Sequence, residues 1–294
     1  MSLIRSRVLV RQRLDDAADS DLEGAFGQAP QGRALSKLAM TEYVGGPDTD
    51  KHNLKAPRLF VDVPLAPGSS LDCEPGQANY LVNVLRLKPG SQVRLFNGRD
   101  GEWLAEVMSA KRGKCTLSVS SRLHEQTARG DIEYLFAPLK KARLDYMVQK
   151  ATEMGVSALC PVMTAYTVPD RVNLERMRAN AIEAAEQCNL LWIPDIAPPR
   201  PLGEVLADWP AQRRLIFCDE AAPVENPLAG LSSVAPGPLA VLIGPEGGFN
   251  AEERAVLRAA AFTVPISLGP RVMRADTAAV AALALVNAVL GDWR

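Results

Sequence analysis

The chain has 294 residues, 47% of them hydrophobic, with a formal net charge of −1. That length is ample for two domains with cores of their own. The longest apolar stretch, 278–290, is shorter than the roughly 20 residues a bilayer-crossing helix needs, so a soluble cytoplasmic protein is expected. Five cysteines, Cys73, Cys115, Cys160, Cys188 and Cys218, lie far apart without a C-x-x-C pair, and only His52 and His124 could supply nitrogen ligands. Neither a zinc site nor a disulfide framework is supported, and no metal is expected.

Residues 1–56 lack sustained periodicity and are broken by FGQAPQGR and VGGPDTDKHN, so they read as a flexible extension. Four arginines and no acid in residues 1–14 have the composition of an organellar presequence, but Asp15, Asp16, Asp19 and Asp21 follow at once and oppose that reading.

A compact β domain is expected over 57–130. Arg58–Val63 alternates like a strand, Gln77–Leu87 reads as a short helix, and Pro89–Gly90 turns the chain. Strands at Gln92–Phe96, Glu102–Ser109 and Cys115–Ser121 are separated by NGRDG and KRGK, which are hairpin turns by composition. Several short strands and one helix in so little chain suggest a small barrel, which leaves few exposed sheet edges. This segment holds 10 Lys/Arg against 7 Asp/Glu, an excess that by itself fits a solvated surface better than a nucleic-acid footprint.

From Asp131 to Arg294 the rhythm becomes α/β. IEYLFAP, a helix over Lys141–Met154, ALCPVM and a helix over Asn173–Cys188 follow one another, and RLIFC (214–218), LAVLI (239–243) and VPISL (264–268) complete a set of short apolar runs. Such runs suit parallel strands covered on both faces. Leu144, Met147, Val148, Ala151 and Met154 share one helix face, and Gly155 stands where a C-terminal cap belongs. The last helix, with Ala278, Ala279, Ala281, Ala282 and Ala284 among Val280, Leu283, Leu285 and Leu290, has almost no polar face, so burial on every side is expected, one side under a second subunit.

Two segments carry the chemistry. PLAVLIGPEGGFNAEERAVL (238–257) and VPISLGPRVMRADTAAVAALAL (264–285) each run an apolar strand into a Gly/Pro bend and then a helix start. Gly244, Gly247 and Gly248 carry no Cβ, so main chain can come close to a flat ligand. Asn250 followed by Glu253 has the form of a helix cap with its reciprocal carboxylate. Glu246 has no capping duty, and a site role and a solvated role both remain open for it. Arg271, Arg274, Asp276 and Thr277 gather at a helix entrance, where an Asp cap beside a surface arginine is the plain alternative to a site. Neither dinucleotide nor P-loop fingerprints are present, and no Ser-His-Asp or Cys-His set lies near these bends.

LIGPEGGF (242–249) and LGPRVMRADTAA (268–279), with KKARLDYMVQKATEMGV (140–156), EAAEQC (183–188), YLVNVLRLKPG (80–90) and LFNG (95–98), resemble the RsmE family of 16S rRNA (uracil-N3)-methyltransferases in the SPOUT superfamily. The resemblance covers about 57–294. It implies a C-terminal SPOUT parallel-sheet domain with a trefoil knot, an N-terminal PUA-like RNA-binding β-barrel, a homodimer, and S-adenosylmethionine as cofactor. Carried over by position, Leu242, Gly244, Pro245, Glu246, Gly247, Gly248, Leu268, Gly269, Val272 and Met273 would bind that cofactor, and Arg274 with Asp276 would be catalytic. RNA contacts would come from Arg58, Arg86, Lys88, Lys141 and Arg143, within the small ribosomal subunit. The family often carries His at position 79, Gly-Arg near 189–190 and Thr-Glu at 275–276, where this chain has Asn79, Asn189–Leu190 and Ala275–Asp276. Substrate identity is therefore less constrained than reaction type: the same fold acting on another rRNA or tRNA nucleoside, or a non-catalytic RNA-binding assembly factor, are the alternatives.

Overall fold

The structure is a computed structural model that describes residues 55–111, 113–169, 171–223 and 226–293. The extension expected over 1–56 lies outside the described residues except for Lys55 and Ala56, as does His52.

The first part of the chain forms a five-stranded sheet of β1 (Arg58–Phe60), β2 (Ser70–Asp72), β3 (Gln92–Phe96), β4 (Glu102–Lys111) and β5 (Lys114–His124), in the order β1-β3-β4-β5-β2. Only β1 and β3 pair in parallel; the other neighbours are antiparallel. Alternate residues supply its core, with Val93, Leu95, Trp103, Ala105, Val107, Leu117 and Val119 all buried. The NGRDG turn is fixed by Asn97, whose Oδ1 accepts from the Arg99 and Asp100 N–H groups at 3.0 and 2.9 Å. The helix expected over Gln77–Leu87 is shorter: α1 (Pro75–Asn79) widens into a π turn at Tyr80–Val84, closed by Leu85 N–H to the Tyr80 carbonyl at 2.9 Å. Arg86 then takes a left-handed φ of 57°, so the helix stops ahead of Pro89, which disfavours helical backbone at the preceding residue.

The second part is a parallel sheet of β6 (Ile132–Phe136), β7 (Ala158–Met163), β8 (Asp195–Ile196), β10 (Arg214–Cys218), β11 (Leu239–Ile243) and β12 (Thr263–Ile266), ordered β12-β10-β11-β6-β7-β8, with β9 (Arg200–Pro201) also on β7. Its connections include α2 (Lys141–Glu153), α3 (Leu174–Cys188), α4 (Leu202–Ala207), α5 (Pro227–Ser232) and α6 (Ala251–Ala259), and α7 (Ala275–Val289) closes the fold. Successive strand residues point to opposite faces, which explains the continuous apolar runs. Tyr134, Phe136, Ile216, Val241 and Ile243 enter one core with residues of α2, α3 and α7, while Leu135, Leu215, Phe217, Ala240 and Leu242 enter the other with Leu202, Phe249 and Leu257.

Met147, Val148 and Ala151 of α2 are buried, and Gly155 follows its C-cap with φ 76°. Asn250 and Glu253 make the reciprocal cap of α6: Asn250 Oδ1 accepts from Glu253 N–H at 2.7 Å, and a Glu253 carboxylate oxygen accepts from Asn250 N–H at 3.1 Å. The last helix is buried on one stripe, Ala275, Ala279, Ala282, Leu283 and Val286. Val280, Ala281, Ala284 and Leu285 are only half-covered within one chain.

One expected RNA contact is also corrected here. Arg58 is buried; its Nε donates to Glu102 Oε1 at 2.6 Å, Nη1 to the Ala185 carbonyl at 2.6 Å, and Nη2 to the Leu190 carbonyl at 2.7 Å. Its guanidinium also lies 4.4 Å from the Phe96 ring centroid. Its donors are taken by Glu102 and by carbonyls in and just beyond the last turn of α3, so it clamps the barrel to the end of that helix and offers nothing to a phosphate.

Candidate functional site

The two glycine-punctuated bends meet. Strands β10, β11 and β12 are neighbours, so the segments that leave their C-terminal ends converge, where ligands of open parallel sheets are found. Between them lies a cavity of about 220 Å3 walled by Ile243–Glu246 after β11, Ser267–Met273 after β12, Cys218–Glu220 after β10, and Ala275 and Ala278 of α7.

Glycine is required twice on the first bend. A Cβ on Gly244 would stand 2.5 Å from Cε2 of Phe249, the buried ring that braces the bend from below. Gly248 has φ 70°, and a Cβ there would run into the Glu220 carboxylate at 2.1 Å. The bend is thus pressed against its own supports.

Of the expected cofactor residues, Gly244, Pro245, Glu246, Leu268, Gly269, Val272 and Met273 line this space. Leu242, Gly247 and Gly248 do not. Leu242 is wholly buried in the sheet core and its neighbour Ile243 takes the lining position. Gly247 lies against Tyr166, and Gly248 against Glu220. Val272 is fully exposed, so only its main chain can serve a ligand in the cavity.

Cys218, Asp219 and Glu220 were not singled out from sequence, because the strand that carries them has no glycine bend; its position between β11 and β12 brings them in. Asp219 is buried and held by Arg258, whose Nε donates to Oδ2 at 2.7 Å, and by Arg254 at 3.3 Å. Arg254 also pairs with Glu220 at 2.7 Å. Two arginines of α6 therefore fix the acidic wall of the cavity. Burial pushes the Cys218 thiol up to about 12, so it stays protonated and is no nucleophile. Glu246 forms an ion pair with Arg143 of α2, which gives it a structural tie that the sequence left open.

Arg274 is the N-cap of α7 and is exposed, and its side chain makes no hydrogen bond or ion pair among the described residues. Asp276 is not the cap: it sits in the first turn, where its Oδ1 accepts from the Thr277 N–H at 3.1 Å, and no ion pair joins it to Arg274. A carboxylate there complements the positive end of the helix. Arg86, Lys88 and Lys141 are exposed, and Arg143 is half-buried in its pair with Glu246.

Comparison with known proteins decides the family. Residues 126–287 match the RNA methyltransferase domain family, and residues 74–120 match the RNA methyltransferase PUA domain family. The ribosomal RNA small subunit methyltransferase E of Synechocystis is 31% identical over 221 residues, covering 73% of this chain and 71% of that protein. The chain belongs to the ribosomal RNA small subunit methyltransferase E family. The family member of Rickettsia conorii is 29% identical over 236 residues, 80% of this chain and 96% of its own. Among solved structures, the Neisseria gonorrhoeae member bound to S-adenosyl methionine superposes with a TM-score of 0.71 at 26% identity, covering 81% of this chain and 100% of that one. The fold is accordingly a PUA-like barrel followed by a SPOUT-type parallel sheet.

Proposed function

We propose that this chain transfers a methyl group from S-adenosylmethionine to N3 of a uridine in 16S ribosomal RNA. One observation carries the reading: the bends after β11 and β12, strands that flank β10, enclose one cavity, and an arginine without a side-chain partner among the described residues caps the helix that forms its wall. The residues present fit the donor. The lining of Ile243, Leu268, Met273, Ala275 and Ala278 is apolar, which suits a flat nucleoside, and the carboxylates of Glu220 and Glu246 are held on the wall by Arg254 and Arg143. When bound, S-adenosylmethionine supplies an electrophilic methyl group on a positively charged sulfur.

The remaining chemistry belongs to the protein. Uracil N3 is a weak acid, and its attack requires the proton to leave while negative charge spreads onto O2 and O4. Arg274 is the group suited to receive that charge: its guanidinium is permanently cationic and has no competing partner among the described residues. Asp276, two residues on, is the nearest carboxylate in sequence, and it accepts the N3 proton directly or through water. The buried Tyr134 hydroxyl, which donates to Met147 Sδ at 2.9 Å, is held neutral by burial and takes no part in proton transfer.

Arg86, Lys88 and Lys141 contact the RNA phosphates, and the barrel places the target loop. Two chains pair through the half-covered side of α7, which Val280, Ala281 and Leu285 make apolar. No described helix is long and apolar enough to cross a membrane, and a ribosomal RNA substrate places the protein in the cytoplasm. Incubation with small subunits from cells lacking this protein, followed by mapping of the methylated nucleotide, tests the assignment. Methylation of tRNA but not of those particles overturns it.

A further inference from the structure

A second cavity, of about 430 Å3, opens where α2 and α3 begin and is not part of the donor site. Its size lies within the range of small-ligand pockets. Lys140, Lys141, Arg171 and Arg176 line it. Leu139, Leu144, Val168 and Met177 give it an apolar lining as well, with Val168 76% exposed. Among the described residues the lining carries one carboxylate, Asp145, and that one is occupied: it accepts from Arg176 Nε and Nη2 at 2.7 and 2.6 Å and from Asn180 at 2.8 Å. Lys140, Lys141 and Arg171 make no side-chain hydrogen bond or salt bridge among the described residues. An excess of uncommitted cations around an apolar hollow is suited to a ligand that is flat at one end and anionic at the other.

Two links join this cavity to the donor site. Arg143, one helical turn from Lys140, pairs with Glu246 of the donor cavity. The segment that supplies Val168 and Arg171 is also fastened to the first bend: Tyr166 lies over Gly247, where a Cβ would come within 3.2 Å of it, and Ala165 N–H donates to Glu253 Oε1 at 2.7 Å. The two hollows are therefore tied together by an ion pair, a hydrogen bond and a packing contact.

We propose that the second cavity receives one unstacked nucleotide of the substrate RNA that flanks the methylated uridine, its base against Leu144 and Val168 and its phosphates on Lys140, Lys141 and Arg171. This rests on the proposed RNA substrate and adds to it a subsite that selects the target by its neighbour. Recognition of RNA away from duplexes works through such splayed bases held on apolar or planar groups with cations on the backbone.

The test uses the full-length protein, its affinity for unmodified small subunits, its turnover on them, and its affinity for S-adenosylmethionine by calorimetry. A Lys140→Gln, Arg171→Gln double variant removes charge, and Val168→Ser removes the exposed apolar contact without removing charge. Both are expected to weaken subunit binding by roughly tenfold or more, with donor affinity and melting temperature kept. The double variant alone should also flatten the log–log salt dependence of binding by about 1.4, as loss of two single-strand phosphate contacts requires. If only the charge variant binds more weakly, the cavity is a surface phosphate contact and the nucleotide subsite is wrong. Unchanged subunit binding in both variants, or a loss of donor affinity, also overturns it. Wild-type protein that binds subunits but never methylates them sinks the enzymatic reading, while the same binding series still decides this one.

Discussion

Arg58 and Glu102 form an ion pair at 2.6 Å with side chains only 2% and 3% exposed, and the same guanidinium reaches out of the barrel to the Ala185 carbonyl. Glu102 is further approached by Arg94 and by His124 at 3.6 Å. Barrel and parallel sheet domain thus share one buried polar cluster.

Arg58→Met should destabilise the protein by about 3–5 kcal/mol, because Glu102 is left buried with its main partner gone. Pairing it with Glu102→Gln should recover a good part of that loss. Urea unfolding of the two variants is the measurement, and equal losses in both would show that Glu102 is compensated by its other neighbours.

The buried cluster also sets a pH dependence. Burial holds the Glu186 carboxyl above the usual carboxylate range, although its Oε1 accepts from the Phe60 N–H at 2.9 Å and Arg58 is close. A folded-state pKa raised above the unfolded one means that the folded protein binds more protons through that window, so stability falls as pH rises through it. Glu186→Gln keeps the acceptor for Phe60 and removes the ionisation. Its stability relative to wild type should rise between acidic and neutral pH, as thermal melts across pH 4 to 7 would reveal.

Gly244→Ala and Gly248→Ala should each abolish measurable donor binding, since the added carbons strike Phe249 and Glu220 at 2.5 and 2.1 Å. The backbone must move for either to fit, and strain of this kind costs about 1–3 kcal/mol. Calorimetric titration with S-adenosylmethionine reads the first effect and thermal melting the second.

Arg274→Ala should leave donor affinity within about threefold, because the side chain does not line the cavity, and lower methyl transfer by about 10²–10³-fold, the usual loss when one charge-stabilising donor is removed. Single-turnover assays on unmodified small subunits separate the two. Turnover near the wild-type level would remove Arg274 from the mechanism.

Much of this fold was readable from local pattern. The runs at 158–163, 214–218 and 239–243 became strands with those bounds, since an uninterrupted apolar run is what a strand buried on both faces demands. The Asn250–Glu253 cap was equally plain, because its hydrogen bonds span three residues. The π turn at Tyr80–Val84 was not, as its α-like composition carries no mark of the extra residue in the turn.

The sequence by itself determined the two bends, since glycine and proline restrict or free the backbone wherever they stand, and it determined which strands would be buried. Only the tertiary structure decided that β10 lies between β11 and β12, and so that Cys218, Asp219 and Glu220 complete the cavity. It alone also turned Arg58 inward. An arginine's charge is written in the chain, but whether that charge meets a phosphate or a helix's carbonyls depends on packing between segments more than a hundred residues apart.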